Sequence, residues 1–397
     1  MDGDPPARVK WLIVGAGMTG AAAAYQLVAG GEDPDAIAVI DGARPGLGAS
    51  GRNGGFAWRI PCWEEIGPWR AALGEAGVRD LLEAGAESQA AVSAFCEREN
   101  VPMQRGGGFD IAERPEDLGV MERHAAFLRD AGWQSIEVRP QCPGPDPELG
   151  PVTHDAEAFG VQPAIYTGRL LRASGVRVSA DCPAQAKNLF VTGGAVLVNT
   201  PRGGIEAERV ILATNAFLWL GFRTWVGDYP VIPGRNQVLL AAIAGEADNR
   251  LWGDGTYNHG FDYWRQLPDG NLLLGGGRDR DMDGETTFAL GPNDAVLAYL
   301  ENEKLPRLTG GRPAEVLARW SGILGFSPDR LPLMGVLPWS EGRIGLAAGF
   351  SGHGFRYHWS ATRRLIAAMR DGDAGALGVF HGRRLGEQNS HGSLDIS

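Results

Sequence analysis

Val9 to Val14 is a short, unbroken apolar run, the pattern of a strand buried on both faces. "GAGMTG" follows at once, and then the alanine-rich "AAAAYQLVAG", where Gly30 and Gly31 read as a helix stop. A second apolar run, "AIAVID" (Ala36 to Asp41), completes a strand–helix–strand unit and predicts an α/β fold. Between Pro68 and Asn100, Leu73, Leu81, Leu82, Ala91, Val92 and Phe95 keep helical spacing, and Glu116 to Gly132 predicts another helix. The proline-rich stretch Arg139 to Pro151 predicts a connector. Short strands are expected from Val176 to Val198, and "ERVILATNAF" predicts a strand ending in a polar turn. From Val231 to Gly277 the alternation in "NQVLLAAI", "FDYWRQL" and "GNLLLGGG" predicts antiparallel sheet, with "LPDGN" as a hairpin turn. Asn293 to Leu305 predicts a helix. "RIGLAAGF" followed by "HWSATRRLIAAMRDG" again reads strand, glycine loop, helix, and Gly386 to Ser397 reads as a polar tail. No internal repeat is visible.

Composition narrows this picture. At roughly 100–200 residues per domain, 397 residues suggest two or three domains or one interleaved pair. A hydrophobic share of 44% with 21% charged residues is an ordinary globular balance, whereas 59 glycines point to tight turns and close backbone approach to a ligand. A net charge of −11 disfavours a nucleic-acid partner. Cys62, Cys96, Cys142 and Cys182 show neither metal-ligand nor disulfide spacing, so free thiols and no metal are expected. The N-terminus has no basic segment followed by an apolar one, and a cytoplasmic protein with no membrane partner is expected.

The chemistry begins at "GAGMTG". Gly15 permits the turn, Gly17 lets a pyrophosphate approach N–H groups at a helix start, and Gly20 lets helix and strand pack closely. The motif follows a strand, opens a helix and is followed by Asp41 at the end of the next strand, where a carboxylate can accept ribose hydroxyls. Dinucleotide binding is the expectation. A second glycine-rich loop, "GLGASGRNGGF" (Gly46 to Phe56), offers backbone N–H groups and the charge of Arg52 to a long ligand, which favours FAD over NAD. "ATNAF" (Ala213 to Phe217) and "GFSGHGF" (Gly349 to Phe355) add a third and a fourth piece.

In that order these pieces, with "DYWRQLPDGNLLLGG" and "RWSGILGFSPDRLPLMG", make the chain resemble the FAD-dependent D-amino-acid oxidase superfamily. It is most similar to the branch of glycine oxidase, sarcosine oxidase and γ-glutamylputrescine oxidase. The resemblance spans Val9 to about Gly372 and implies a Rossmann-like FAD-binding domain, discontinuous over 1–85, 150–220 and 326–376. A second, α+β substrate domain over 86–149 and 221–325 with a mostly antiparallel sheet is implied beside it. It further implies hydride transfer from the carbon of a primary or secondary amine or amino acid to flavin N5, with O2 or another electron acceptor closing the cycle. A dehydrogenase using another acceptor and a low-turnover flavin-binding subunit stand as alternatives.

The FAD site is expected to comprise Gly15, Gly17, Met18, Thr19, Gly20, Asp41, Gly42, Arg44, Ala49, Ser50, Arg52, Asn53, Gly54, Gly55, Ala213, Thr214, Asn215, Gly349, Ser351, Gly352, His353, Gly354 and Phe355. Sarcosine oxidases link FAD to a cysteine whose position falls near Gly322 here, so non-covalent FAD is expected. They also place a lysine over the flavin where this chain has Leu272, Leu273 and Leu274, which favours slow reaction with oxygen. Arg356 matches a residue that binds the substrate carboxylate in that branch. As a cation in the first turn of a helix it calls for an anionic partner, although a solvated arginine or a surface salt bridge is the alternative. Arg59 is a second candidate for the carboxylate, and Tyr263 is a candidate pocket residue or an ordinary strand aromatic. Trp58, His259 and Trp264 are candidate pocket walls, and His353 is expected to fix its loop beside the flavin.

Overall fold

The computed structural model describes residues 3–112, 114–142, 150–222, 231–244 and 253–382. The polar tail and most of the proline-rich connector lie outside them. The apolar run at the N-terminus becomes the strand Arg8–Val14, central in an eight-stranded sheet of mixed orientation. It pairs in parallel with Ile37–Ile40 on one side and Gly203–Leu212 on the other. Arg177–Ser179 extends one edge, and Ile344–Ala348 joins Gly203–Leu212 in parallel. Parallel strands covered on both faces should read as continuous apolar runs, as these do. The helix Met18–Ala29 lies against this sheet with Ala21, Ala22, Ala23 and Ala24 fully buried, their small side chains allowing close approach.

The helices Trp63–Arg98 and Gly354–Asp371 cover the same face and pack on each other, so Phe95, Tyr166, Tyr357 and Leu365 share one core with Trp11 and Ile13. The long helix is broken at Gly74, whose φ of 69° and ψ of 176° are not helical. A separate core on the sheet's other face holds Leu12, Val14, Val196, Val210 and Leu346.

A second eight-stranded sheet runs in the order Ala314–Phe326, Ile232–Ile243, Leu272–Gly276, Asp262–Gln266, Asp254–Tyr257, Gly108–Ile111, Val152–Asp155, Ile136–Arg139. Its pairings are antiparallel except Asp254–Tyr257 with Gly108–Ile111, which is parallel, as the long stretch of chain between the two permits. The "LPDGN" turn closes as expected: Gly270 donates its N–H to Leu267 O (2.9 Å) between two of these strands. Val152–Asp155 pairs in this sheet, although the sequence suggested the first unit from residue 150 onward. The 13-residue strand Ala314–Phe326 and the 12-residue strand Ile232–Ile243 pair along their length, with a bulge between Leu240 and Ala241. The bulge leaves Leu317 without an opposite residue.

Two local expectations change. The helix expected from Asn293 to Leu305 is divided into Asp294–Tyr299, a π-turn Leu300–Lys304 and Leu305–Thr309. Pro306 has no N–H to continue the α-helical ladder, and Lys304 is drawn to Asp262 (3.0 Å) and to the Tyr257 ring (3.9 Å). An additional helix, Pro163–Ser174, starts on a proline and ends at Gly175 in the left-handed region (φ 69°). These are ordinary helix start and stop signals.

Candidate functional site

A cavity of about 250 Å³ runs from the first glycine loop to the underside of the second sheet. Gly17, Met18, Thr19, Ala49, Ser50, Arg52, Asn53, Gly54, Ala213, Asn215, Ser351, Gly352, His353, Gly354 and Phe355 line it, which brings four sequence-distant segments together.

The first end is made by close backbone contact. Gly15 has φ 112°, and a Cβ there would lie 2.5 Å from Ala213 O. A Cβ at Gly20 would lie 1.9 Å from Gly15 O. Neither glycine lines the cavity; both hold the loop in the shape that does. Ser50 Oγ accepts the Met18 N–H (2.8 Å), tying the second glycine loop to the helix start. Asp41 accepts N–H groups from Ala16 (2.7 Å) and Ala43 (2.8 Å), so its carboxylate also braces the loop. Burial pushes that carboxyl up against the effect of these two donors. Gly42 and Arg44 are exposed and lie away from the cavity.

Asn53 and Asn215 act as turn braces. Asn53 Oδ1 accepts the Gly55 N–H (2.7 Å) and its amide donates to Ala49 O (2.9 Å). Asn215, at φ 45°, accepts from the N–H of Gly349 (3.0 Å), which joins the third segment to the fourth. Thr214 lies beside it outside the lining, its hydroxyl buried without a hydrogen-bond partner among the described residues. Ser351 Oγ accepts the Ser327 N–H (3.1 Å), fixing the last loop to the end of the long strand. Arg52 donates to the carbonyls of Leu47 (2.7 Å) and Ser321 (3.1 Å), so it ties the second glycine loop to the strand Ala314–Phe326.

Charged side chains mark the other end. His353 is the N-cap of Gly354–Asp371, and its Nε2 lies 3.2 Å from Glu65 Oε1. Arg356 Nη1 lies 3.7 Å from Glu65 Oε2. Burial raises the Glu65 carboxyl, but His353, Arg356 and Arg330 outweigh it and bring the value from 4.5 to about 2. The anionic partner that Arg356 requires is therefore supplied by the protein itself. Its Nε and Nη1, and Nδ1 of His353, are buried without hydrogen-bond partners among the described residues.

Other candidates are placed differently from expectation. Arg59 turns away from the cavity: it meets Asp155 at 3.2 Å and Glu157 at 2.8 Å and stacks 4.5 Å from the Trp133 ring centroid. A neighbouring strand supplies acidic partners that outcompete any role at the cavity. Trp264 is a core residue, its indole N–H donating to Gly253 O (2.8 Å). Trp58, His259 and Tyr263 do line the cavity. His259 Nδ1 is 2.5 Å from Glu64 Oε2, and Tyr263 packs edge-on to Phe56 at 5.7 Å.

Glu65, Arg278, Arg330, Asn236 and Phe326 also line the cavity, and sequence reading had not singled them out. For Glu65 the signal is "CWEE": its side chain accepts the Cys62 N–H (3.1 Å) as the third residue of a capping box.

The cavity fits a dinucleotide flavin. It reaches from a helix N-terminus suited to phosphate to a second helix start with orphaned polar atoms on His353 and Arg356. Among the described residues no group of three or more His, Cys, Asp or Glu is placed to hold a metal, and no helix is long and apolar enough to cross a membrane.

Comparison with known proteins agrees with this geometry. γ-Glutamylputrescine oxidoreductase of Escherichia coli K12 is 26% identical, covering 93% of this chain and 85% of that protein. Glycine oxidase of Pseudomonas aeruginosa is 24% identical over 91% of this chain and 94% of its own length. Among solved structures, L-proline dehydrogenase from P. horikoshii superposes with a TM-score of 0.78 at 17% identity, covering 96% of this chain and 99% of that one, which shows the fold. Residues 10–368 match the family described as DAO, FAD dependent oxidoreductase. The chain belongs to the DAO family of FAD-dependent oxidoreductases, and FAD is its cofactor.

Proposed function

We propose that this enzyme oxidises the C–N bond of a primary or secondary amine or amino acid, with O2 as acceptor. The observation that carries the proposal is the single cavity joining the dinucleotide loops to a closed, charged end beneath the second sheet. The proteins it is similar to are named for γ-glutamylputrescine, glycine and L-proline. Bound FAD would supply the two-electron acceptor for the C–N bond, and water would hydrolyse the resulting imine to a carbonyl compound and an amine or ammonia. With O2 as the final acceptor, two electrons and two protons would be recovered as hydrogen peroxide.

The chain's part is orientation and electrostatics. Gly17, Met18 and Thr19 form the pyrophosphate end, and Asp41 shapes their loop while keeping lone pairs for ribose. The N-terminus of Gly354–Asp371, with His353 at the N-cap position, would offer N–H groups to negative charge on the reduced cofactor. Glu65 locks His353 and Arg356 in place there. Tyr263, Phe56 and Trp58 wall the opposite side and exclude water. The division of the chain into an FAD unit and a covering substrate unit follows the two large sheets, with Val152–Asp155 assigned to the second.

FAD is held non-covalently in this reading. Cys62 lines the cavity, but burial, then Asp110 and Glu65, push its thiol well above the usual range, which disfavours the nucleophilic thiolate. A dehydrogenase with another acceptor is the second reading: the strand Leu272–Gly276 sets buried leucines where the resemblance would put a lysine.

The purified protein should be yellow and should release its flavin on acid precipitation. An anaerobic screen of amines, N-methyl amino acids and D-amino acids should bleach the flavin bands. Stoichiometric peroxide on re-aeration identifies the oxidase, whereas slow re-oxidation without it identifies the dehydrogenase. A protein that takes up no FAD on reconstitution, or a flavin that no amine bleaches, overturns the proposal.

A further inference from the structure

Oxidising an amine leaves one proton in need of a destination. Forming an imine takes a hydrogen with its electron pair from carbon and a proton from nitrogen. The electron pair is the cofactor's share, so the proton falls to the chain's own side chains. A competent acceptor must connect to the cavity, be free of a paired cation and be able to pass the proton on. Glu65 lines the cavity but fails the second condition: against the effect of its burial, His353 and Arg356 hold its carboxyl at about 2.

Asp110 meets the first condition through Thr256. Thr256 lines the cavity, and its hydroxyl donates to Asp110 Oδ1 (2.9 Å). The second sheet builds this contact in: Thr256 stands opposite Asp110 in the parallel pair and opposite Tyr263 in the antiparallel pair beside it. Residues opposite one another project from the same face, so the three form a row along the cavity wall. Burial pushes the Tyr263 hydroxyl up, which keeps it a neutral phenol and leaves Asp110 as the acid–base group of the row.

Among the described residues no cation pairs with Asp110, whose other oxygen takes the Trp63 N–H (2.6 Å). Its surroundings are acidic or already engaged. Glu64 and Glu65 face it from the start of Trp63–Arg98, with the Cys62 thiol before them. Arg356 is committed to Glu65 (3.7 Å), Asp155 on the adjacent strand to Arg59 (3.2 Å), and Asp254 on the other side to Arg265 (3.5 Å). His124, on the helix Leu118–Asp130, has Nδ1 2.8 Å from Trp63 O. Burial, reinforced by the two glutamates, outweighs the Trp63 and Thr256 donors and leaves the carboxyl at about 7.

The way onward is a second, smaller cavity of about 30 Å³ that Asp110 lines together with His124 and Thr153. Trp58, Cys62 and Arg356 belong to both cavities and form the partition between them. That volume has room for about two waters, and its lining has polar groups to hold them.

We propose that the Thr256 hydroxyl and the Asp110 carboxylate carry away the proton that the substrate nitrogen loses. The N–H bond breaks as an O–H bond forms on Thr256, the hydroxyl's own proton moves to Asp110 Oδ1, and Asp110 releases it to water in the second cavity. The proposal rests on the amine-oxidising reading above and adds a proton route to it.

The test uses the FAD-loaded protein. Infrared titration reads the acceptor without substrate: a carboxylic-acid C=O band should appear as pH falls through about 7. Asp110→Asn should abolish that band, Thr256→Val should move it to higher pH, and Thr256→Ser should return it. Anaerobic stopped-flow then follows flavin reduction by glycine, glycinamide and benzylamine, whose ammonium groups differ in acidity. Each rate should rise with pH through about 7, where Asp110 ionises and becomes an acceptor. Asp110→Asn and Thr256→Val should each slow reduction above pH 7 by about a hundredfold and remove the inflection, whereas Thr256→Ser should stay within about tenfold of wild type. The threonine pair carries the test alone if Asp110→Asn fails to fold. No titrating band, valine and asparagine variants as fast as wild type, or an inflection that follows the acidity of the amine and survives both substitutions overturns the proposal. A flavin that no amine bleaches fails the functional reading and this inference with it, whereas bleaching indifferent to both substitutions fails this inference alone.

Discussion

The two ends of the cavity are built by different means. At the first glycine loop the shape comes from backbone approach: Gly15 leaves no room for a side chain against Ala213, and Gly20 leaves none against Gly15. At the far end the shape comes from side-chain charge gathered from four remote places, Glu65, Arg278, Arg330 and Arg356. The first end tolerates no added volume, and the second tolerates no lost charge. Cofactor retention and substrate choice are thereby separable within one cavity.

The largest effect should come from adding volume at the first end. Gly20→Val places side-chain carbon into the Gly15 carbonyl. Overpacking of about 1–3 kcal/mol or more corresponds to FAD binding weaker by roughly ten- to hundredfold. The ratio of flavin to protein absorbance after gel filtration reads this directly. A variant as yellow as the wild type would mean that the loop is not set by close packing.

Removing charge at the second end comes next. Glu65→Gln leaves Arg356 buried without its carboxylate, at a cost of about 3–5 kcal/mol in urea unfolding at neutral pH. Folding lowers the Glu65 carboxyl from 4.5 to about 2, so its contribution is complete above 4.5 and is lost as pH falls towards 2. The stability gap between wild type and variant should close over that window. A gap that is independent of pH would assign the loss to packing and not to charge.

The smallest effect should come from Asp110, which lies behind the charged end. It accepts the Trp63 N–H (2.6 Å) and the Thr256 hydroxyl (2.9 Å), and burial pushes its carboxyl up to about 7. Asp110→Asn keeps one oxygen to accept the Trp63 N–H and presents an N–H that the Thr256 hydroxyl can accept by reversing its role, and it should change stability by less than about 1 kcal/mol at neutral pH. Folding raises this pKa from 3.8, so the wild type should gain stability as pH falls from about 7 towards 3.8 while the variant stays level. Thermal unfolding of the two at pH 5 and pH 8 separates these slopes.

The contrast also explains what the sequence revealed. Gly15, Gly17, Gly20 and Asp41 sit within one strand–helix–strand unit, so local spacing carried their geometry. The "LPDGN" hairpin and the last strand–loop–helix were legible for the same reason. Glu65, Arg278 and Arg330 are charged residues on a helix start and in two loops, a pattern that solvated surface also produces. Only tertiary pairing separates them from it. Arg59 shows the converse: its position after the flavin loop suggested the substrate, and the strand Val152–Asp155, remote in sequence, claims it. The π-turn at Leu300–Lys304 depends on a distant aspartate, Asp262, and no periodicity of its own announces it.

The bulge beside Leu317 acts as a stop for register errors. Beyond it, Gly322, Leu324 and Phe326 alternate with Ile323 and Gly325, which are buried against the other side, so all three line the cavity together. A strand has a two-residue period, and a slip of one position would turn every one of them outward. Phe326 would leave Arg278, and Gly322 would give its place beside Arg52 to a larger side chain. An insertion on the solvent side of the bulge can be absorbed there by changing the size of the loop-out. The same insertion on the cavity side would be read out at once as a change in what the enzyme binds.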